Sequence, residues 1–208
     1  MSTERVTISS DCALEGMLTK QGLTCGAVIC HPHPLYGGSM HNNVVEALEE
    51  GFISSGFSTL RFNFRGVGWS EGTYDEGEGE VRDVLAACTH LRGVLGQTAR
   101  LVLAGYSFGA WCAARAASQV KDLEDLFLVA YPFSRYEAAP IHAFPGRLYF
   151  VGGSQDDISP LDQLMSVYEK VDGEKYLKVL PTSHFYPGVE DELRDFVRQV
   201  FGPTSSKV

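Results

Sequence analysis

The 208-residue sequence lacks a long uninterrupted apolar stretch, and its first residues carry no apolar secretion segment. The first absence argues against a membrane-spanning helix, and the second argues against export. The chain also lacks a surplus of positive charge, because 26 acidic residues outnumber 17 basic ones and give a net charge of −9. This balance argues against nucleic acid and against an anionic membrane as partners. We therefore expect a cytoplasmic protein.

Cysteines are few, odd in number and never spaced as C-x-x-C, so neither a disulfide framework nor a redox motif is indicated. Reduced thiols are expected, with Cys30 and Cys112 as small core residues. The sequence also lacks internal repeats, low-complexity blocks and linkers. With 44% hydrophobic residues, it predicts a single domain over 1–208 with a sizeable core and a flexible tail at 202–208.

Short apolar strands alternate with helices from about residue 27 onward, after an antiparallel pair at Val6–Ile8 and Leu14–Leu18. Such alternation is typical of a mostly parallel sheet that is covered by helices on both faces. The prediction is an α/β protein with a central sheet of about eight strands, in which functional residues lie in the loops after the strands.

The most informative segment is Gly105–Gly109, which fits G-x-S-x-G. The apolar strand 100–104 precedes it, and a run of strong helix formers follows it. This strand, turn and helix are the context of a nucleophile elbow, in which the serine hydroxyl is exposed on a strained turn. Ser107 is therefore the candidate nucleophile.

Partners for Ser107 are expected in later loops, because a serine hydroxyl needs a base and the base needs an orienting carboxylate. Asp156 and Asp157 follow a predicted strand at 147–152, and His184 follows the last strand. The order serine, aspartate, histidine is that of the α/β-hydrolase fold. The residues alone leave the choice between the two aspartates open.

An oxyanion hole is expected in the loop that begins at His31. Pro32 and Pro34 have no N–H, so the backbone of His33 is the candidate donor, together with the amide of Phe108. His31 and His33 are also spaced as a metal pair could be, but no third ligand with suitable spacing is evident. We expect neither a metal nor a cofactor.

The chain resembles the small, lidless α/β-hydrolases of the dienelactone-hydrolase-like branch. The resemblance covers about residues 27–200. It is carried by 31–40 (HPHPLYGGSM) with Asn42, by 61–68 (RFNFRGVG), by the elbow, by 153–160 and by 183–185. It implies the α/β-hydrolase fold, with Ser107 as nucleophile and His184 as base. It favours Asp156 as the acid, since the family's acid stands three residues after the glycine that ends the strand, here Gly153. Dienelactone hydrolases proper use a cysteine nucleophile, which does not match Ser107.

No cap domain is expected, because only the proline-containing segment 131–146 separates the strand after the elbow helix from the next strand. An open site of this kind suits small or water-soluble esters. Tyr36, Arg65 and Phe185 are the candidate substrate-binding residues, with Trp69 and Phe133 as further candidate walls. A strand is predicted at 58–64, and Arg61, Asn63 and Arg65 are expected on one face of it. A buried arginine needs a partner, so Arg65 is expected to pair with an acid such as Glu71, Asp75 or Asp83. Binding of a substrate carboxylate at the end of the strand is the alternative.

These observations predict a serine hydrolase that acts on a small-molecule ester or thioester through an acyl-enzyme. Acyl transfer or peptidase action on small substrates would use the same triad. A non-catalytic binding module on a hydrolase scaffold is the alternative from another class, and it predicts a broken triad or a blocked oxyanion hole. A homodimer is compatible with the sequence.

Overall fold

A computed structural model describes residues 2–202, and its centre is an eight-stranded sheet. The strands are β1 Ser2–Ser9, β2 Ala13–Lys20, β3 Cys25–Cys30, β4 Ser58–Phe62, β5 Arg100–Tyr106, β6 Asp125–Val129, β7 Arg147–Gly153 and β8 Lys175–Leu180. The helices are α1 Asn43–Ser54, α2 Glu78–Leu95, α3 Phe108–Ala117, α4 Ala139–His142, α5 Leu161–Lys170 and α6 Glu190–Phe201, and Pro34–Tyr36 forms a short 3-10 helix.

The spatial order of the strands is β1-β2-β4-β3-β5-β6-β7-β8. The pairs β1–β2 and β2–β4 are antiparallel, and all others are parallel. Two apolar cores cover the two faces of the sheet: one contains side chains of α2, α3 and α5, and the other contains those of α1 and α6. The predicted architecture is confirmed, and the carboxyl ends of the parallel strands meet along one edge.

The segment between β6 and β7 contains only the four-residue helix α4, so no cap domain covers this edge within the described residues. The five cysteines are unpaired, and Cys30 and Cys112 lie in the core as predicted. None of the helices in the described part combines the length and hydropathy needed to cross a bilayer. Of the tail predicted at 202–208, only Gly202 belongs to the described residues.

One local prediction is wrong. Arg61, Asn63 and Arg65 do not share a face, because β4 ends at Phe62 rather than at Phe64. The Arg61 guanidinium is ion-paired with Glu49 of α1, whereas that of Arg65 is ion-paired with a residue of α2 on the opposite side of the sheet. The alternation of side chains holds only while the backbone remains extended.

Candidate active site

Ser107 lies on a strained turn between β5 and α3. Its φ and ψ are 54° and −119°, which few non-glycine residues adopt. A Cβ at Gly105 would lie 2.3 Å from the carbonyl oxygen of Gly109, and one at Gly109 would lie 2.4 Å from that of His31. Glycines are therefore required at both positions, because the start of α3 packs directly on the end of β5 and on the loop after β3.

The structure brings Ser107, His184 and Asp156 together. The Ser107 Oγ lies 2.9 Å from His184 Nε2, and His184 Nδ1 lies 2.8 Å from one Asp156 carboxylate oxygen and 3.0 Å from the other. All three residues are buried. Since Nδ1 faces a carboxylate, it carries the proton, and Nε2 is left to accept the Ser107 hydroxyl proton.

Asp156 is held in place by the backbone of its own loop. Its Oδ1 accepts hydrogen bonds from the N–H groups of Ile158, at 2.9 Å, and Ser159, at 2.7 Å. A Cβ at Gly153 would lie 2.5 Å from the carbonyl oxygen of Thr182, so the end of β7 lies directly against the loop that carries the histidine. Asp157 is exposed. The sequence left the choice between the two aspartates open, and the geometry identifies Asp156 as the partner of His184.

Two residues that the sequence analysis missed hold the His184 loop. The Tyr106 hydroxyl donates to the His184 carbonyl oxygen at 2.5 Å, and Asn43 Nδ2 donates to the Phe185 carbonyl oxygen at 3.2 Å. Asn43 also donates to Glu190 at 2.9 Å, and this bond lowers the pKa of that carboxyl. Tyr106 stands inside the elbow motif, but no sequence pattern links it to a loop 78 residues away.

The candidate oxyanion donors lie on adjoining backbone segments. The His33 and Phe108 rings are 4.7 Å apart, centroid to centroid, and the close approach of Gly109 to the β3 loop joins their backbones. Among residues 2–202, neither the His33 nor the Phe108 N–H donates a hydrogen bond to another group of the chain. Both donors are therefore free to bind a developing negative charge.

The two histidines of this loop use their ring nitrogens within the protein. His31 Nδ1 lies 2.6 Å from the Pro32 carbonyl oxygen, and its Nε2 accepts from the Phe64 N–H at 3.0 Å. His33 Nδ1 accepts from the Leu35 N–H at 3.3 Å, and its Nε2 lies 3.3 Å from the Tyr74 hydroxyl. Across the described residues, no group of three or more ligating side chains has the geometry to hold a metal. These contacts assign both histidines to shaping the loop.

Burial lowers the pKa of His31 to about 4, because the enclosed ring has no water to stabilise its charged form, and this effect outweighs the opposing hydrogen bond to the Pro32 carbonyl oxygen. The unfolded chain binds this proton near pH 6.5 and the folded chain only near pH 4, so the free energy of unfolding falls as pH falls through this window. We expect a loss of about 3 kcal/mol from the 2.5-unit difference between 6.5 and 4.

Urea unfolding of the wild type and of His31→Gln at pH 7 and at pH 4 would measure this contribution. Carboxyl groups titrate in both proteins, so the His31 contribution is the difference between their pH dependences. The exposed His142→Gln is the matched control and should behave as wild type. An identical pH dependence in wild type and His31→Gln would contradict the assignment.

A cavity of about 520 Å³ opens above Ser107. Its lining includes His33, Phe108 and His184, together with two of the predicted substrate-binding residues, Tyr36 and Phe185. These two aromatic side chains are 80% and 70% exposed, so they form the mouth of the cavity. The other lining residues are Pro32, Gly37, Gly38, Asn42, Tyr106, Ser107, Pro132, Arg135, Tyr136 and Ile158. Trp69 and Phe133, the further candidate walls, are not among them.

Arg65 does not belong to the cavity, which corrects its prediction as a substrate-binding residue. Its Nε and one terminal nitrogen donate to the two carboxylate oxygens of Asp83 at 3.0 and 2.8 Å. The Arg65 backbone N–H also donates to Asp83, at 3.1 Å. Both side chains are buried, so this bidentate pair joins the end of β4 to α2 and satisfies the guanidinium internally. The expected pairing of Arg65 with an acid is thus confirmed, and Asp83 is the partner.

Comparison with known proteins gives a family and close structural neighbours. The model of the family described as X-Pro dipeptidyl-peptidase (S15 family) matches residues 24–146, which include Ser107 and the His33 loop. An uncharacterized protein of Rickettsia prowazekii is 30% identical over 152 residues, which are 72% of this chain and 64% of that protein. The chain therefore spans less than two thirds of that relative's length.

Two solved structures are similar over nearly their whole length. An α/β serine hydrolase homologue of Coxiella burnetii is 35% identical, with a TM-score of 0.87, over 95% of this chain and 96% of its own. An α/β serine hydrolase without lid from Xanthomonas campestris is 28% identical, also with a TM-score of 0.87, over 96% of this chain and 93% of its own. The resemblance to lidless α/β hydrolases is confirmed. The assignment to the dienelactone-hydrolase-like branch stays a prediction.

Proposed function

Given that this chain belongs to the X-Pro dipeptidyl-peptidase (S15) family and is an α/β hydrolase, we propose that it cleaves a small carboxylic ester or thioester through an acyl-enzyme. The observation that carries the proposal is the buried contact chain from Ser107 through His184 to Asp156. Ser107 is the nucleophile, His184 the base and then the acid, and Asp156 the group that orients His184.

The geometry supports a two-step mechanism. Ser107 Oγ attacks the substrate carbonyl carbon while its proton passes to His184 Nε2, and Asp156 stabilises the imidazolium that forms. The N–H groups of His33 and Phe108 bind the oxyanion. His184 then gives its proton to the departing alcohol or thiol. A water molecule, activated by the same imidazole, attacks the acyl-serine and releases the acid.

Peptidase action on X-Pro substrates is the second candidate, because the family model carries that description. A dipeptidyl-peptidase must hold a substrate's free N-terminal ammonium, for which a carboxylate is the natural partner. None of the residues that line the cavity in the described chain is acidic. This lining favours ester or thioester substrates, and Ala-Pro-p-nitroanilide would test the alternative directly. Acyl transfer differs only in the acceptor that attacks the acyl-serine.

A fluorophosphonate probe tests the proposed function without knowledge of the natural substrate. We expect rapid labelling of the folded wild type at Ser107 and no labelling of Ser107→Ala, because only an activated serine attacks phosphorus. Ser154→Ala, which removes an exposed hydroxyl near the site, is the matched control and should be labelled as wild type. A non-catalytic module on the same scaffold would leave the wild type unlabelled.

Acyl-chain selectivity should follow from the absence of a cap. Each buried methylene contributes about 0.8 kcal/mol, but an open cleft with Tyr36 and Phe185 at its mouth encloses only the first few. We expect kcat/KM for p-nitrophenyl esters to peak at about two to four acyl carbons and to fall beyond them. No interfacial activation should be seen. A maximum at decanoate would contradict this expectation.

A further inference from the structure

Among the described residues, the cavity lining carries one permanent positive charge, that of Arg135. In a chain where acidic residues outnumber basic ones by nine, the part of the cavity that the structure describes has no acidic side chain. The charge on the cavity lining is therefore positive, whereas the net charge of the protein is negative. A positive lining favours an anion over a cation as the bound group.

Arg135 is also unusual among the arginines of this protein. In the part of the chain that the structure describes, eight of the eleven are ion-paired with a carboxylate. Within residues 2–202, the guanidinium of Arg135 has no hydrogen-bonded or ion-paired partner. Its five N–H donors are thus available, and the planar guanidinium is suited to binding a carboxylate or a phosphate with two hydrogen bonds.

The backbone that carries Arg135 is fixed on the cavity wall. The N–H groups of Arg135 and Tyr136 donate to the Pro132 carbonyl oxygen at 2.9 and 3.1 Å, which closes a turn. The Tyr136 ring stacks on Trp111 at 3.9 Å between centroids, and Ser134 Oγ donates to the Ile158 carbonyl oxygen at 2.7 Å. The base of the side chain therefore has a defined position before any ligand arrives, which lowers the entropic cost of binding.

The charge of Arg135 acts within the cavity, towards the loop that holds the candidate oxyanion donors. The pKa of His33 lies below its ordinary value, first because of burial and then because of the positive charge of Arg135. His33, Ser107 and Arg135 all line the cavity, so one molecule bound there can contact both Arg135 and Ser107.

We propose that Arg135 binds an anionic group of the substrate, a carboxylate or a phosphate, and so makes the cavity selective for anionic esters or thioesters. The inference rests on the proposed hydrolase function and names its substrate class. Arg135 acts here as a specificity residue and takes no part in the proton transfers of the reaction.

Two matched substrate pairs test the proposal and separate the two sources of the anion. Ethyl hydrogen succinate and ethyl butyrate share an acyl chain length and differ by a carboxylate on the acyl side; acid release is followed in a pH-stat. S-butyryl-4′-phosphopantetheine and S-butyrylpantetheine share the acyl group and the pantetheine arm and differ by one phosphate on the leaving side; thiol release is followed by colour. For each pair, the ratio of kcat/KM, anionic over neutral, is measured in wild type and variants.

We expect Arg135→Gln to lower this ratio about fivefold in at least one pair, with the neutral substrates little changed, the size expected for an exposed charge pair. Arg135→Lys keeps the charge and should keep most of the preference. Arg5→Gln removes an exposed charge from the edge strand β1 and should leave both ratios unchanged. High salt should reduce the preference of the wild type, because exposed charges are screened.

A change confined to the succinate pair assigns a carboxylate on the acyl side, and a change confined to the phosphopantetheine pair assigns a phosphate on the leaving side. Ratios that Arg135→Gln leaves unchanged in both pairs would overturn the inference while leaving the proposed hydrolase intact. A wild type that neither cleaves the neutral members nor reacts with the fluorophosphonate probe would count against the hydrolase function itself.

Discussion

Replacing Ser107 by alanine should lower kcat for an ester substrate by about a millionfold, and His184→Ala should have an effect of similar size. The double variant should lose little more. The reason is the single contact of 2.9 Å between Ser107 Oγ and His184 Nε2, through which the attacking atom is deprotonated. Once either side chain is removed, the other no longer contributes to the proton transfer, so removing it as well has little further effect on kcat.

The remaining activity should come from the His33 and Phe108 amides and from substrate binding, which neither variant touches. Ser154→Ala and His142→Ala are matched controls, since both side chains are exposed, and each should retain wild-type kcat. Circular dichroism would establish that the variants are folded. Independent losses that multiply in the double variant would contradict the proposal that Ser107 and His184 act as a unit.

The catalytic geometry could be predicted in outline because it depends on local patterns and chain order. The strand, turn and helix around Ser107 follow from apolar runs and from Gly105 and Gly109, where any Cβ would collide with backbone atoms. Asp156 and His184 could be placed at the same edge because parallel strands end there. The resemblance, rather than spacing, favoured Asp156 over Asp157.

What the sequence could not give depends on where the backbone leaves a regular element. Pairing of Arg65 with an acid is expected from the sequence, but the choice of Asp83 over Glu71 and Asp75 requires β4 to end at Phe62 and the chain to turn towards α2. Periodicity extended the strand by two residues and placed Arg65 on the wrong face. The assignment of Arg65 to the substrate failed for this reason.

Arg135 is a residue whose proposed role could not be predicted from the sequence. Nothing in the segment 131–146 marks it as functional, since it is one charged residue in a short connection that lacks regular structure apart from α4. Its proposed role rests on two features of the tertiary structure. Arg135 lies on the cavity wall, and no carboxylate in the described chain is ion-paired with it. Neither fact has a sequence signal.

The second large effect is expected at the acid. Asp156→Asn should lower kcat by about ten-thousandfold. In the wild type, Oδ1 of Asp156 accepts from the N–H groups of Ile158 and Ser159, at 2.9 and 2.7 Å, while Oδ2 lies 2.8 Å from His184 Nδ1. The carbonyl oxygen of an asparagine must take the first position, because two N–H donors point at it. Its NH₂ group is then directed at His184 Nδ1.

An NH₂ group at the Oδ2 position, which is 2.8 Å from Nδ1 against 3.0 Å for Oδ1, can only donate, so it favours the tautomer with the proton on Nε2, opposite Ser107. In this tautomer His184 cannot accept the serine proton, and the nucleophile is not activated although all side chains remain in place. The exposed Asp157→Asn removes the same charge one residue away and should leave kcat within about threefold of wild type, as a charge change at the surface would. A large loss in Asp157→Asn together with a small loss in Asp156→Asn would transfer the role of the acid to Asp157. Comparable small losses in both would mean that His184 keeps its productive tautomer without a carboxylate partner.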